Sequence, residues 1–224
     1  MNGYFQFKNL SFSKPFQFQT NNKSFFLILD ERPKDLSELD PLISLFREDL
    51  AHQLDTFREY LQKKQIQRAI EFILGEIQFI HLKKWTISQD HQYSQSTEFH
   101  SSRAHSNNYI GTIIGTSPIG LDIEDIGIHS NAFNNAYFNI QEFEIVKNFL
   151  PAIYKGIDGI ESTILWALKE ATFKIQRLEK IGQIKQIQIE KNYGSITGID
   201  SKSKNKYYLH FSILNKSVLA IASD

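Results

Sequence analysis

The chain has 224 residues, 41% of them hydrophobic, with 25 basic and 25 acidic side chains and no cysteine. That length accommodates one large domain or two small ones, and the balanced charge gives no global pull toward nucleic acid or an anionic membrane. The missing cysteine removes disulfides, thiolate metal sites and cysteine nucleophiles together. No apolar run reaches the roughly 18 residues that a membrane helix needs. Met1 to Leu10 sets phenylalanines among polar residues, unlike a signal peptide. A soluble, cytoplasmic protein is expected.

Along the chain, Phe5 and Phe7, then Phe16 and Phe18, alternate with polar neighbours, and Phe25 to Leu29 is continuously apolar. These read as short strands. The period changes after Pro33 and Pro41. Leu42, Leu45, Phe46, Leu50, Leu54, Phe57 and Leu61 keep helical spacing, as do Ile66, Ile70, Ile73, Leu74 and Ile77. Ser88 to Asn108, rich in Ser, Gln and His, reads as a long loop. Tyr109 to Ile114 and Ile119 to Ile123 read as two buried strands with a turn at Thr116 to Pro118. A polar stretch with four asparagines precedes a short helix over Ile140 to Leu150. The clearest helix runs from Ile160 to Leu178, with Gly182 as its stop. The tail predicts three antiparallel strands: one through Ile184, Ile187 and Ile189, then Tyr207 to Ile213, then Val218 to Ala222. The fold class is α+β, with two similar lobes in one chain divided near Ser117, residues 1–116 and 117–224.

Three segments carry chemistry. In Gly120-Leu121-Asp122-Ile123-Glu124, residues two apart share a strand face, so Asp122 and Glu124 point one way while Leu121 and Ile123 enter the core. Adjacent carboxylates repel unless a cation sits between them, and a hard cation such as Mg²⁺ takes oxygen ligands. A bare pair of this kind also fits two solvated acids. In the second segment, Trp166, Glu170 and Lys174 stack on one helix face with Lys169 beside it, which alone fits an ordinary Glu–Lys helix pair. The third is Arg103-Ala104-His105-Ser106, closing the polar loop, where a lone histidine is usually a surface residue.

Taken together and in this order, the segments resemble the 4′-phosphopantetheinyl transferases of the long, single-chain type that activates peptide and polyketide synthases. That family carries a histidine–serine segment, a G-x-D-x-E strand and a W-x-x-K-E-x-x-x-K helix. Here these are His105-Ser106, Gly120-x-Asp122-x-Glu124 and Trp166-x-x-Lys169-Glu170-x-x-x-Lys174, at intervals of about fifteen and forty residues. Tyr137-Phe138-Asn139-Ile140-Gln141-Glu142 is similar to the family's aromatic segment ending in glutamate. Upstream the likeness is weaker and rests on Arg68.

The resemblance implies a pseudo-dimeric fold and transfer of the phosphopantetheine arm of coenzyme A to a serine of an apo acyl or peptidyl carrier protein. It implies that Asp122, Glu124 and Glu170 hold Mg²⁺ or Mn²⁺ against the pyrophosphate. Lys169 and Lys174 fall near the phosphates and the reacting groups, His105 and Ser106 on coenzyme A phosphates, and Arg68 on the coenzyme side. Glu142 matches a glutamate assigned to deprotonating the serine, although Asn139-x-x-Glu142 reads equally well as a helix capping box. The chain departs from the family pattern with Ala104 in place of a serine and Ser102 in place of an asparagine, and it has no G-K-P turn in Asp90 to Phe99. Two lobes in one chain imply a monomer. The alternatives are a non-catalytic relative that binds coenzyme A or carrier protein, and a metal-dependent phosphohydrolase, which would need more ligands.

Overall fold

The computed structural model describes residues 16–20, 23–31, 100–176 and 181–224. The helices expected between Leu42 and Ile77, the strand at Phe5 and Phe7, and Arg68 lie outside the described residues. The apolar run Phe25 to Leu29 falls in β2 (Lys23–Glu31), which pairs antiparallel with β1 (Phe16–Thr20) and with β4 (Tyr109–Gly115). A further strand, β3 (His100–His105), pairs with the other side of β4 and completes the sheet order β1-β2-β4-β3. This corrects the expected loop over its last residues. His-Ser-Ser-Arg-Ala-His has no apolar alternation to announce a strand. Its extended form comes from the ladder with β4 and from burial of Ser102 and Ala104.

At residues 116–118 the chain passes from one sheet to another. There β5 (Ile119–Asp125) starts a five-stranded antiparallel sheet with β6 (Ile187–Asn192), β7 (Ser195–Asp200), β8 (Lys206–Leu214) and β9 (Ser217–Ser223). The spatial order is β5-β9-β8-β7-β6. The tail thus holds four strands where three are expected, and Ile184 lies in a 3₁₀ turn (Ile181–Gln186) rather than a strand. The missing strand is β7. Its Gly198 sits where a side chain would collide with Thr172 and Leu209, so its hydrophobic alternation is broken. The tight turn before it uses Tyr193 and Gly194, at φ of 44° and 83°, as a two-residue hairpin loop of this hand requires.

Three α-helices complete the described residues, an α+β arrangement with two antiparallel sheets. The asparagine-rich stretch, expected only as polar chain, forms α1 (Asn131–Tyr137), started by Ser130, whose hydroxyl accepts the Phe133 amide at 3.2 Å. The expected short helix is α2 (Ile140–Phe149), and the long one is α3 (Ile160–Gln176). Gly182, expected as its stop, lies in the following 3₁₀ turn.

The five-stranded sheet has a core on each face. On one side Ile160, Ile164, Leu168 and Ala171 of α3 pack with Val146, Ile187, Leu209 and Ala220. On the other, Leu121, Ile123, Leu219 and Ile221 pack against Phe25, Leu27, Leu29 and Ile113 of the four-stranded sheet. Strand β5 therefore serves both: Leu121 and Ile123 enter the inter-sheet core, as expected, and Gly120, Asp122 and Glu124 turn toward α3. Where β5 crosses α3 only a glycine fits, because a Cβ on Gly120 would run into the Ala171 carbonyl oxygen, a backbone atom that cannot rotate away. Gly120→Ala should lower stability by roughly 1–3 kcal/mol, a melting temperature drop of about 2–10 °C. Thermal unfolding followed by circular dichroism measures it. An unchanged midpoint would mean that strand and helix are not in main-chain contact.

Candidate functional site

The two motif-bearing elements face one another across this close contact. On α3, Trp166, Glu170 and Lys174 recur every fourth residue and form one stripe beside β5. Asp122 is 4% exposed, and its Oδ1 lies 2.7 Å from Lys174 Nζ. The same ammonium donates to the Leu121 carbonyl at 3.0 Å and the Arg103 carbonyl at 3.4 Å. Asp122 Oδ2 is buried and has no hydrogen-bond partner among the described residues. A buried carboxylate oxygen left unpaired costs desolvation energy unless something else is bound to it.

The acids sense one another. Burial pushes the Asp122 carboxyl up and Lys174 draws it back. Glu124 is raised to about 8, first by burial and then by repulsion from Asp122 and Glu170, with Lys174 and a hydrogen bond from Trp166 opposing. Glu170 is raised to about 7 by burial and by Asp122, against Lys174. Three carboxyls on two elements thus compete for too little positive charge. That donor set fits a hard divalent cation, which would replace the protons held there and engage the unpaired Asp122 oxygen. Among the described residues no three His, Asp or Glu side chains converge as a ready-made cage. Mg²⁺ does not require one, because it commonly takes one or two carboxylates and completes its shell with water and substrate phosphates.

Lys169, next to Glu170 in the chain but about 100° round the helix from it, turns to Glu142 instead. Glu142 is 1% exposed and Lys169 2%. Lys169 Nζ is 2.9 Å from Glu142 Oε1 and 3.1 Å from Oε2, and it donates to the Tyr137 carbonyl at 2.7 Å. The expected capping box is present, with the Asn139 side chain accepting the Glu142 amide and Glu142 Oε2 accepting the Asn139 amide, both at 3.0 Å. Glu142 Oε1 also accepts the Ile189 amide of β6 at 2.9 Å. A carboxylate so enclosed has no open lone pair for a substrate hydroxyl, and the Lys169 ammonium is turned away from solvent. The structure does not bring either to the Asp122 side of the helix.

His105 and Ser106 also part company. His105 is exposed at the end of β3. Ser106 is buried, and its Oγ accepts the amides of Asn108 at 3.1 Å and Tyr109 at 3.2 Å, which makes it the pivot of the β3–β4 turn. The turn is pinned by Asp125, which accepts from Ser217 Oγ at 2.6 Å, Asn108 Nδ2 at 2.8 Å and the Asn107 amide at 2.9 Å. Burial would raise the Asp125 pKa, and these bonds with one from Ser106 hold it below the ordinary carboxylate value. Sequence reasoning passed over Asp125 and noted Ser102 only as a departure from the family pattern; its hydroxyl accepts the Leu121 amide at 2.9 Å. It passed over Phe133 and noted Tyr137 only within the aromatic segment; both rings pack edge-on against Trp166, at 4.9 and 5.1 Å. Their i,i+4 spacing in the asparagine stretch was the available signal. No protein-family model matches the chain, and no curated protein matches it.

The raised acids set a pH dependence. A carboxyl with a higher pKa folded than unfolded binds more protons in the native state, so its contribution to stability falls as pH rises between the two values. For Glu124 and Glu170 that window runs from about 4.5 to about 8. Without divalent cations, the melting temperature of wild type should therefore fall more steeply between pH 5 and 8 than that of Glu124→Gln or Glu170→Gln. Millimolar Mg²⁺ or Mn²⁺ should flatten the wild-type slope. Parallel slopes in chelator for wild type and both variants would show that the acids are not coupled.

Proposed function

We propose that the chain is a 4′-phosphopantetheinyl transferase, moving the arm of coenzyme A onto a serine of an apo acyl or peptidyl carrier protein. The observation that carries this reading is the Asp122–Glu124–Glu170 group, the aspartate buried and the two glutamates half-buried, with Lys174 beside it, at the crossing of a G-x-D-x-E strand and a W-x-x-K-E-x-x-x-K helix. In the reaction the carrier serine oxygen bonds to the β-phosphorus of coenzyme A. The bond from that phosphorus to the oxygen bridging to the nucleotide breaks, 3′,5′-ADP departs, and the serine proton is lost. Such chemistry asks a protein mainly for in-line positioning and charge neutralisation.

Asp122, Glu124 and Glu170 are the residues that would hold Mg²⁺ or Mn²⁺. The ion, when bound, supplies neutralisation of the pyrophosphate charge. Lys174, fixed to Asp122 and to two main-chain carbonyls, holds a positive charge at a set place beside the reacting phosphates. His105, exposed at the β3 end, would contact a coenzyme A phosphate. Arg68 retains its assignment on the coenzyme side. Ser106 holds the turn that presents His105. A pseudo-dimer of two lobes, a monomeric state and a cytoplasmic site of action belong to the same proposal.

The test is mass spectrometry of a panel of apo carrier proteins incubated with the protein, coenzyme A and Mg²⁺. A carrier should gain one phosphopantetheine arm on serine, and chelator should abolish the gain. Asp122→Ala, Glu124→Ala and Glu170→Ala should each cut turnover at least about 100-fold, equivalent to several kcal/mol of lost charge stabilisation. Absence of transfer to every carrier would leave a coenzyme A- or carrier-binding protein without chemistry. Full activity in Glu170→Ala would remove α3 from the metal assignment.

A further inference from the structure

Every oxygen of Glu142 in the buried Glu142–Lys169 pair is hydrogen-bonded, and the pair lies outside the acid cluster. Lys169 Nζ meets both Glu142 oxygens, the Tyr137 carbonyl and, at 5.5 Å, the face of Phe138. Glu142 holds the amides of Asn139 and Ile189 as well. Five structural pieces therefore converge on one ion pair: the end of α1, the α1–α2 joint, α2 itself, α3 and β6. Burying two charges is expensive, and hydrophobic residues of similar volume would often be as stable. What an ion pair adds over such residues is a fixed direction, because its hydrogen bonds are satisfied in one geometry only. The residue after Lys169 on α3 is Glu170. Rotation of α3 about its axis would carry Glu170 toward or away from Asp122 and Glu124, and the close approaches of the helix to the sheet, Ala171 at Gly120, Thr172 at Gly198 and Lys174 at Asp122, all lie C-terminal to Lys169.

We infer that Glu142 and Lys169 are positioning residues that set the rotation of α3, and so the place of Glu170 in the acid cluster, and that Glu142 is not the base that takes the serine proton. This rests on the transferase reading for its activity readout and on the structure alone for its binding readout. A base must reach the reacting hydroxyl within hydrogen-bond distance, directly or through one water. Glu142 instead spends both oxygens on Lys169 and two main-chain amides.

The experiment compares Glu142→Gln, Lys169→Met and the double variant by melting temperature, Mn²⁺ affinity from electron paramagnetic resonance, and the pH profile of kcat/KM. Each single change leaves one buried charge without its partner and should lower the melting temperature by roughly 6–15 °C. Mn²⁺ binding and kcat should weaken about 10- to 100-fold, as when a supporting partner of a ligand is lost. The double variant carries neither charge and should recover at least half of the lost melting temperature, with Mn²⁺ affinity and kcat rising alongside. The acid limb of the pH profile should keep its wild-type position throughout. A double variant that regains stability and Mn²⁺ affinity yet stays as slow as Glu142→Gln would overturn the inference and restore Glu142 as the base. Wild-type Mn²⁺ affinity in a destabilised Glu142→Gln would overturn it from the other side, leaving the pair with no hold on the cluster. Should Glu142→Gln not fold, Glu142→Asp, shorter by one methylene with the charge kept, carries the same Mn²⁺ and melting measurements. If the wild-type protein transfers nothing but binds Mn²⁺, the transferase reading fails while these two measurements still decide the positioning claim. If it binds no Mn²⁺, both fall.

Discussion

The ammonium of Lys174 has three N–H donors, and the structure gives each an oxygen: Asp122 Oδ1, the Leu121 carbonyl and the Arg103 carbonyl. Those oxygens belong to β5 and β3, and the lysine to α3. One nitrogen thus joins the edge of each sheet to the helix between the motif residues. The Asp122 side chain is 6% exposed and that of Lys174 28%, so the acid is deep and the lysine sits at the mouth. Removing either partner would strand a charge or open the seam between the sheets. The approach of β3 to a strand it does not pair with follows from this point.

How legible this was in the sequence depends on what kind of signal each part leaves. The apolar stripe of α3 and the alternation of β5, β8 and β9 are local patterns, and they mark those elements well. β3 leaves no such trace, because Ser102 and Ala104 are buried by a second sheet that the local sequence does not contain. α1 is short and asparagine-rich, and it depends on the Ser130 cap and on Phe133 and Tyr137 closing over Trp166. The acids were legible as residue types at a spacing. Their shared electrostatics required knowing that β5 and α3 cross at Gly120. The dual reading of Asn139-x-x-Glu142 was open in the sequence, since the same letters serve a cap and a base. The Ile189 amide and Lys169, far away in the chain, complete the enclosure.

The two flanks of α3 divide the work in a way that composition cannot express. One flank carries acids that repel each other and an unpaired oxygen, a state that favours a ligand. The neighbouring flank carries a pair whose charges and hydrogen bonds are matched. Instability is concentrated where binding would relieve it, and it is held in place by a neighbour with nothing left to satisfy. Trp166 stands on the acid side, and its ring rests on Phe133 and Tyr137 of α1. The cluster thereby borrows rigidity from an aromatic stack as well as from α3.

Among the described residues the five-stranded sheet ends in β5 on one side and β6 on the other. Edge strands offer unpaired main-chain groups to any extended chain that meets them, which is a route to aggregation. In this molecule the outward amide of Leu121 is taken by Ser102, the Leu121 carbonyl by Lys174, and the Ile189 amide by Glu142. The residues around which chemistry is read therefore also guard both borders of the sheet against self-association. Loss of solubility in variants at these positions would have a direct cause in the exposed ladder, separate from any change in the site.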